Sequence, residues 1–453
     1  MYEHADDYNV ETLEGWVSSK CRDWRENFEA NYQDKFDEYY RLWRGQWSAE
    51  DATRQSERSK IISPALQQAV ESSVAELEEA TFGRGKWFDI KDDDADQNTA
   101  DIQVLRNQLE ADFKRNMVRK ATAECLINAA VFGTGIAEIE LTTEKEFKPA
   151  TEEVMGGELT AVGVTIEDRT CVKMNPVMPQ NFLIDPVATS IENALGVAVD
   201  EFVSAHLVEQ LQEEGVYRDI EVGNAATDFE IEPDQDILAT YNDGKVRLTK
   251  YYGLVPRHLL KEAMQNPFEE EESVSLMGAD AEEESNSYYV EAIVVLGNSE
   301  LLKAEENPYM MQDRPIVAFP WDVVPSRFWG RGVCEKGYNS QKALDAELRA
   351  RIDALALTVH PMLAMDASRM PRGSKPEIRA GKVILTNGNP AEILQPFNFG
   401  QVNQITFAQA GALQQMVQTA TGAIDSAGIA GSVNGESTAA GISMGLGAII
   451  KRH

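Results

Sequence analysis

Cysteine is scarce in this chain of 453 residues, and its four cysteines stand far apart, at Cys21, Cys125, Cys171 and Cys334. No CxxC pair occurs, and no histidine lies beside them at a metal-ligand spacing, so the sequence predicts no zinc site. The N-terminus lacks the basic start and apolar stretch of a signal peptide, and no later segment approaches the ~20 apolar residues that span a bilayer. We therefore expect an intracellular chain that does not enter a membrane.

Basic residues are in the minority. The 42 Lys and Arg face 75 Asp and Glu, which gives a formal charge of -33. Ordinary nucleic-acid binders concentrate cations against phosphates, so this balance disfavours a tight DNA or RNA binder. High net charge also keeps a chain soluble and repels surfaces of the same sign, so composition alone is equally compatible with any soluble acidic protein.

Motifs of enzymatic chemistry are missing. There is no GxxxxGK[ST] phosphate loop and no GxGxxG after a predicted strand, so we do not expect ATP hydrolysis. The histidines stand without a serine or cysteine motif, at His4, His206, His258, His360 and His453. His258 and Glu262 lie one turn apart on a predicted helix. They are either two ligands of a metal ion or simply two exposed residues of that helix. We expect no catalytic residue, metal or cofactor, and hence not an enzyme.

The first 130 or so residues have the periodicity of helices. Aromatic residues recur largely four apart over 13–44, as on one stripe of an amphipathic helix that is either core or a binding surface. Ser63-Pro64 predicts the start of a second helix that ends at Gly83. A third helix is predicted over 101–132, ended by Gly133 in a left-handed cap.

The middle of the chain changes toward the two-residue period of strands. The segments 136–141 and 161–166 alternate apolar and polar residues, and further strands are predicted over 288–296 and 315–319. A short helix is predicted over 204–214. The glutamate-rich stretch 267–287 has few large apolar residues, which predicts a solvated excursion. This region therefore indicates an α+β body.

Two long helices are predicted in the last third. The first, over 338–359, is ~33 Å long at 1.5 Å per residue, and the second covers 402–420. Small residues four apart on the second helix allow a close approach of another helix. The predicted packing residues of the two helices are Leu344, Leu348, Ile352, Leu355, Ala408, Ala412 and Met416.

A basic segment lies between these helices, and a glycine-rich segment follows them. The first holds about 40 residues rich in Pro, Gly and cations, in contrast to the acidic chain around it. Its cations are Arg369, Arg372, Lys375, Arg379 and Lys382. The second is typical of a flexible loop between helices, and its small polar and glycine residues are Gly428, Gly431, Ser432, Asn434, Gly435 and Ser437.

This order of elements resembles the portal (head-to-tail connector) proteins of tailed double-stranded DNA bacteriophages, podovirus-like ones among them. Four phrases carry the resemblance: PALQQAVE at 64–71, NAAVFGTG at 128–135, PQNFLIDP at 179–186 and FPWDVVPSRFWGRGVCEKGYNSQ at 319–341. Together with the helix order they extend it over roughly residues 60–450. The resemblance implies a mainly helical, ring-forming portal fold of α+β class.

The resemblance also implies a division into the parts of a portal subunit. These are a wing at 1–325, a first stem helix at 326–360, a clip at 361–399, a second stem helix at 400–423, a tunnel loop at 424–437 and the start of a wing- or crown-side helix at 438–453. The crown would then be mostly missing, so we expect the natural chain to continue.

The function implied is that of a portal. About twelve copies would form a ring at one capsid vertex of the virion, assembled in the host cytoplasm, through which double-stranded DNA is packaged and ejected. Partners would be the terminase large subunit, then the tail adaptor or head-completion protein, together with the major capsid and scaffolding proteins and transiently bound DNA. The alternative is another phage head structural or head-completion protein without a channel.

For two of the sites that the resemblance implies, a second interpretation stays open. The basic clip residues would bind the acidic partners, or else they pair with carboxylates of neighbouring subunits. The tunnel loop would contact the DNA backbone through neutral hydrogen bonds, or else it is only a linker. An acidic channel wall offers phosphates no counterion-driven attraction, so DNA would slide through it.

Overall fold

The fold is a mixture of helix and sheet, as expected of an α+β chain. The computed structural model describes residues 12–53, 58–83, 88–90, 99–154, 158–220, 222, 245–264, 288–309, 311–359, 362–365, 394–397 and 404–421. The chain divides into two compact units. Unit 1 consists of Met1–Glu38, Ser73–Gly332 and Ser443–His453, and unit 2 of Tyr39–Ser72 and Val333–Ile442.

Helices occupy both ends of the described chain. In order they are α1 (Leu13–Phe28), α2 (Asp34–Arg44), α3 (Ala49–Thr53), α4 (Ala65–Phe82), α5 (Thr99–Arg115), α6 (Val118–Phe132), α7 (Ala205–Glu213), α8 (Arg257–Met264), α9 (Val333–Val359) and α10 (Gln404–Thr421). A π-helical turn, Glu29–Gln33, joins α1 to α2, and a 3₁₀ turn spans Pro179–Asn181. None of the helices in the described ranges is both long and apolar enough to cross a bilayer.

The described strands form three sheets. They are β1 (Thr134–Val154), β2 (Glu158–Val177), β3 (Phe182–Ile184), β4 (Gly196–Ser204), β5 (Lys245–Pro256), β6 (Tyr289–Gly297), β7 (Glu300–Glu306), β8 (Ile316–Pro320), β9 (Met362–Met365) and β10 (Leu394–Phe397). One sheet has the order β2-β1-β8, a second the order β3-β4-β5-β6-β7, and a third pairs β9 with β10. The described neighbours within these sheets pair antiparallel.

The aromatic stripe of the first helices is core. Trp24 stacks on Tyr251 of β5 with 6.0 Å between ring centroids, and Trp16 meets the same ring edge-on at 6.2 Å. Phe28 and Phe36 each lie 5.5 Å from the ring centroid of Trp329. The stripe therefore attaches the first helices to the sheet of unit 1, and the core interpretation of the pattern is the right one.

The single helix predicted over 101–132 is wrong. The structure has two helices, α5 and α6, and Met117 between them takes a left-handed conformation with φ of 51°. The predicted glycine cap is confirmed, because Gly133 ends α6 with φ of 103° and its N–H donates to the Ala129 carbonyl at 2.9 Å. A side chain at Gly133 would also collide with the carbonyl of Gly330.

The following predicted elements are confirmed, with shifted ends. The helix over 63–83 is α4, the short helix is α7, and the alternating segments 136–141 and 161–166 belong to the long hairpin β1–β2. The strands over 288–296 and 315–319 are β6 and β8. The stretch 267–287 lies outside the described residues. His258 and Glu262 do lie on a helix, α8, and no three His, Cys, Asp or Glu in the described ranges gather as a metal site would require.

Candidate functional site

The two long helices of unit 2 run antiparallel. Gly337, near the start of α9, lies beside the end of α10, since a Cβ added to it would be 3.0 Å from Thr421 Cγ2 and 3.9 Å from Val417 Cγ1. Beyond the other end of the pair, β9 and β10 form an antiparallel ribbon. The chain therefore leaves along α9, turns through the segment that contains the ribbon, and returns along α10.

A small apolar core holds the pair together. Leu344 of α9 is buried with Ala410 and Val417 of α10, and Leu348 and Leu413 pack against them half-buried. Ala65 of α4 belongs to the same cluster. The first turns of α4 are thus a third partner of the pair, which sequence periodicity does not reveal because the contact joins segments almost 280 residues apart.

The predicted packing residues divide into two groups. Leu344 and Leu348 lie in this core, whereas the other five are exposed on the single chain: Ile352, Leu355, Ala408, Ala412 and Met416. The face of α10 that contacts α9 is the one with Ala410, Leu413 and Val417. The packing role of the five exposed residues stays a prediction, and it concerns a surface other than the one between α9 and α10.

A polar stripe on α9 binds the backbone that precedes α4. We define the polar stripe as Gln341, Asp345, Arg349 and Asp353. Its first two members bind one residue: Gln341 Nε2 donates to the carbonyl of Ser63 at 2.8 Å, and the N–H of Ser63 donates to Asp345 Oδ1 at 2.7 Å. Both side chains are buried.

The second half of the polar stripe extends the same pattern. Arg349 Nε donates to the carbonyl of Ile61 at 2.8 Å, and Asp353 Oδ1 accepts the N–H of Ser59 at 2.6 Å. Backbone groups satisfied in this way do not need a helix or sheet of their own. The polar stripe therefore fixes residues 59–63 in an extended path along α9.

Arg349 also forms an ion pair with Asp51. Its Nη1 and Nη2 lie 2.6 Å and 3.1 Å from the two carboxylate oxygens of Asp51, which is a bidentate arrangement. Burial alone would raise the pKa of Asp51, but the hydrogen bonds from Arg349 and Ser48 outweigh it and lower that pKa.

Asp345 has the opposite electrostatic balance. Burial raises the pKa of this carboxyl group, although the hydrogen bonds from Ser63 and Gln341 act against the increase. Two carboxylates of one unit are therefore shifted in opposite directions. The physical reason is that Asp51 has a bidentate guanidinium partner, whereas Asp345 receives its described hydrogen bonds from neutral donors.

A cavity of about 320 Å³ lies beside the polar stripe. Charged side chains of both signs line it: Arg41, Arg58, Lys342 and Arg349 against Asp51, Asp345 and Asp353. A lining with nearly balanced charges selects neither anions nor cations. The arrangement is that of a polar junction which holds α9 to the segment before α4.

The sequence does contain the signal for the polar stripe. Gln341, Asp345, Arg349 and Asp353 follow each other at four-residue intervals, which places them along one side of a helix. The packing prediction for this helix uses its apolar residues only. Polar residues repeating at that interval next to an apolar face indicate a surface that binds another segment.

The other predicted site residues lie outside the described ranges. These are the clip cations Arg369, Arg372, Lys375, Arg379 and Lys382, and the tunnel-loop residues Gly428, Gly431, Ser432, Asn434, Gly435 and Ser437. Their roles stay predictions.

Comparison with known proteins gives one family. The model of the phage SU10 portal protein family matches residues 127–453, a range that begins in α6 and takes in both long helices. No curated protein matches the chain. Because the match covers well over half of the sequence, the chain belongs to the phage SU10 portal protein family.

Proposed function

We propose that this chain is the subunit of a closed ring of about twelve copies at one vertex of the capsid, and that double-stranded DNA is packaged and ejected through the ring. The observation that carries the proposal is the portal-family match over 127–453. The antiparallel pair α9–α10 supports it, because paired helices with an excursion at one end suit the wall of a channel better than the subunit of a shell.

The charge of the chain fits a conduit that does not hold DNA. Each copy contributes a formal charge of -33, so the ring as a whole repels phosphates. The helix α10 carries no charged residue in its 18 positions. Counterion release, which drives ordinary protein–DNA binding, requires cations that such surfaces do not offer, so DNA slides.

The glycine-rich segment 424–437 is the proposed tunnel loop. Its side chains Ser432, Asn434 and Ser437 are neutral hydrogen-bonding groups. Such groups contact a phosphate backbone without the strong attraction of Lys or Arg. We assign it a transient contact with DNA.

The basic segment of the clip is the proposed docking site. Its five cations lie within 14 residues, from Arg369 to Lys382, of a strongly acidic chain, so an acidic surface is the partner that they fit. In a portal this surface belongs to the terminase large subunit during packaging and to the tail adaptor afterwards, while the wing meets capsid and scaffolding proteins. The chain itself is proposed to be no enzyme, and the packaging motor supplies the energy.

Charge reversal in the clip tests the docking proposal. We expect the double variant R372E/R379E to assemble normally and to bind the purified terminase large subunit of the same phage at least ~10-fold more weakly, since several charge-assisted contacts become repulsive. The matched control is K114E/K120E, which reverses two exposed lysines outside the clip. Binding is measured by titration with labelled terminase, and assembly by native mass spectrometry.

Two results would contradict this assignment. Equal loss of terminase binding in the control pair would show a general charge effect. Loss of assembly in the clip variant would show instead that the clip cations pair with carboxylates of neighbouring subunits.

A further inference from the structure

The hairpin β1–β2 has one face that its own unit leaves open. Side chains of alternate residues point to the same side of a strand, and partners in register share that side. On one side Phe147 lies opposite Ile166, and Lys145 lies opposite Asp168. Leu141 lies on the same side, nearer the base of the hairpin. All five of these residues are exposed. We call this surface the open face.

The opposite side of the hairpin is covered within unit 1. Cys171 is fully buried there, and the neighbouring Arg169 forms an ion pair with the buried Asp112 of α5. The side-chain amide of Asn116, which follows α5, donates to the Val172 carbonyl at 2.6 Å. Along this part of the hairpin, the described contacts with the rest of unit 1 therefore lie on the covered side.

A buried cluster fixes the base of the hairpin. Glu138 of β1 accepts a hydrogen bond from the Tyr252 hydroxyl at 2.6 Å and lies 3.3 Å from Lys250 Nζ, both on β5. An ion pair with little solvent contact resists displacement, because breaking it strands a buried charge. The open face consequently has a fixed direction relative to the large sheet of unit 1.

The apolar residues of the open face are large and exposed to solvent. The exposed fractions are 68% for Phe147, 59% for Ile166 and 55% for Leu141. Single exposed apolar residues are common, but a cross-strand pair of this size with a third residue on the same side forms a patch. Patches of this kind mark surfaces that another molecule covers.

The charge of the open face differs from that of the chain as a whole. The open face has no net charge. Lys145 and Asp168 lie opposite each other with opposite charges, and the next pair, Thr143 and Thr170, is uncharged. Two copies with a formal charge of -33 each repel one another over most of their surfaces, so a surface without net charge favours a contact between them. A basic partner would gain more from the acidic remainder of the surface.

We propose that the open face of the hairpin is a contact surface for a second copy of this chain. The inference deepens the proposed function and rests on it, since the second copy is the neighbouring subunit of the ring. The contact is heterologous, because the surface that receives the open face is a different part of the neighbour, and repetition of such contacts closes a ring.

Cysteine labelling tests the contact without relying on a disruptive substitution. The chain suits the method, because its four cysteines are buried and burial raises the pKa of the Cys21 thiol to about 12 and that of Cys125 to about 11. Thiols in that state react slowly. The variants are Phe147→Cys and Thr143→Cys on the open face, with Val187→Cys as control, because Val187 is 88% exposed in another part of unit 1.

Maleimide labelling rates are compared between assembled rings and dissociated subunits. We expect at least ~10-fold slower labelling in the ring for a cysteine at 143 or 147, and an unchanged rate at 187. Equal rates in ring and subunit at both open-face positions would overturn the inference while leaving the ring intact. A wild-type chain that forms no ring at any concentration would instead overturn the proposed function together with the inference.

Discussion

At the scale of single residues, two carboxyl groups of unit 2 have pKa values shifted in opposite directions. Burial acts to raise the pKa of both carboxyl groups. At Asp51 the bidentate Arg349 outweighs burial and the pKa is lowered, whereas at Asp345 burial prevails and the pKa is raised. The ionised form of Asp51 therefore stabilises the folded state, and the ionised form of Asp345 costs stability. The two residues lie along the same junction between α9 and the segment before α4, so one unfolding transition reports both.

The sign of each shift predicts the pH dependence of two amide variants. Above the ordinary aspartate pKa of 3.8, wild-type Asp51 contributes stability that is lost as pH falls through its lowered value, so Asp51→Asn destabilises at neutral pH. For Asp345 the folded state holds its proton to higher pH, so stability falls as pH rises through the raised value, and Asp345→Asn is stabilising at neutral pH. Both differences shrink toward zero as pH falls below about 4.

Melting temperatures from calorimetry at pH 7.5 and at successively lower pH check these signs. The asparagine at 345 can still accept the N–H of Ser63, so no hydrogen bond to the backbone is lost. A Tm for Asp345→Asn that is lower than that of wild type at pH 7.5, by as much as for Asp51→Asn, would show that the buried carboxylate is a net stabiliser.

At the scale of elements, the close approach of α9 to α10 depends on Gly337. A Cβ there would lie 2.7 Å from Leu66 Cδ1 and 3.0 Å from Thr421 Cγ2. Gly411 of α10 provides the matched control, because it is helical and a Cβ there would meet nothing within 4 Å.

Alanine at the two glycines is expected to change the free energy of unfolding differently. Replacing a helical glycine by alanine favours folding by about 0.5–1 kcal/mol, so Gly411→Ala is expected to raise the free energy of unfolding by that amount. At Gly337 the same gain is opposed by overpacking, which costs about 1–3 kcal/mol, so Gly337→Ala is expected to be neutral to destabilising. Chemical denaturation followed by circular dichroism measures both. Equal stabilisation by the two variants would mean that the helices are not in contact at Gly337.

The sequence predicts the elements much better than their partners. The helices over 338–359 and 402–420 were predictable because apolar residues repeat along one side, and the glycine cap at Gly133 because few other residues adopt its conformation. The break at Met117 was not, since neither glycine nor proline marks it and methionine rarely takes the left-handed conformation found there.

Long-range pairings were equally out of reach. Periodicity identifies β6 and β8 as strands, yet it does not place β8 beside β1, 180 residues earlier in the chain. The same holds for the site: Leu344 was predicted as a packing residue, while the roles of Ser63 and Asp51 as partners of α9 follow only from the fold.

At the scale of the whole molecule, charge governs assembly. Copies that each carry a formal charge of -33 repel one another over distances that salt shortens, with a screening length of roughly 8 Å at physiological ionic strength. Neutral surfaces are therefore expected to favour association, and the described residues include the open face of the hairpin and the uncharged helix α10. We accordingly expect assembly to be favoured by physiological salt over low salt.

The mass and symmetry of the purified protein test the central claim most directly. Native mass spectrometry with negative-stain imaging, at high protein concentration and physiological salt, is expected to show closed rings of about twelve subunits around a hole wide enough for duplex DNA. A stable monomer, or an assembly without a central channel, would contradict the assignment of this chain as the subunit of a DNA conduit.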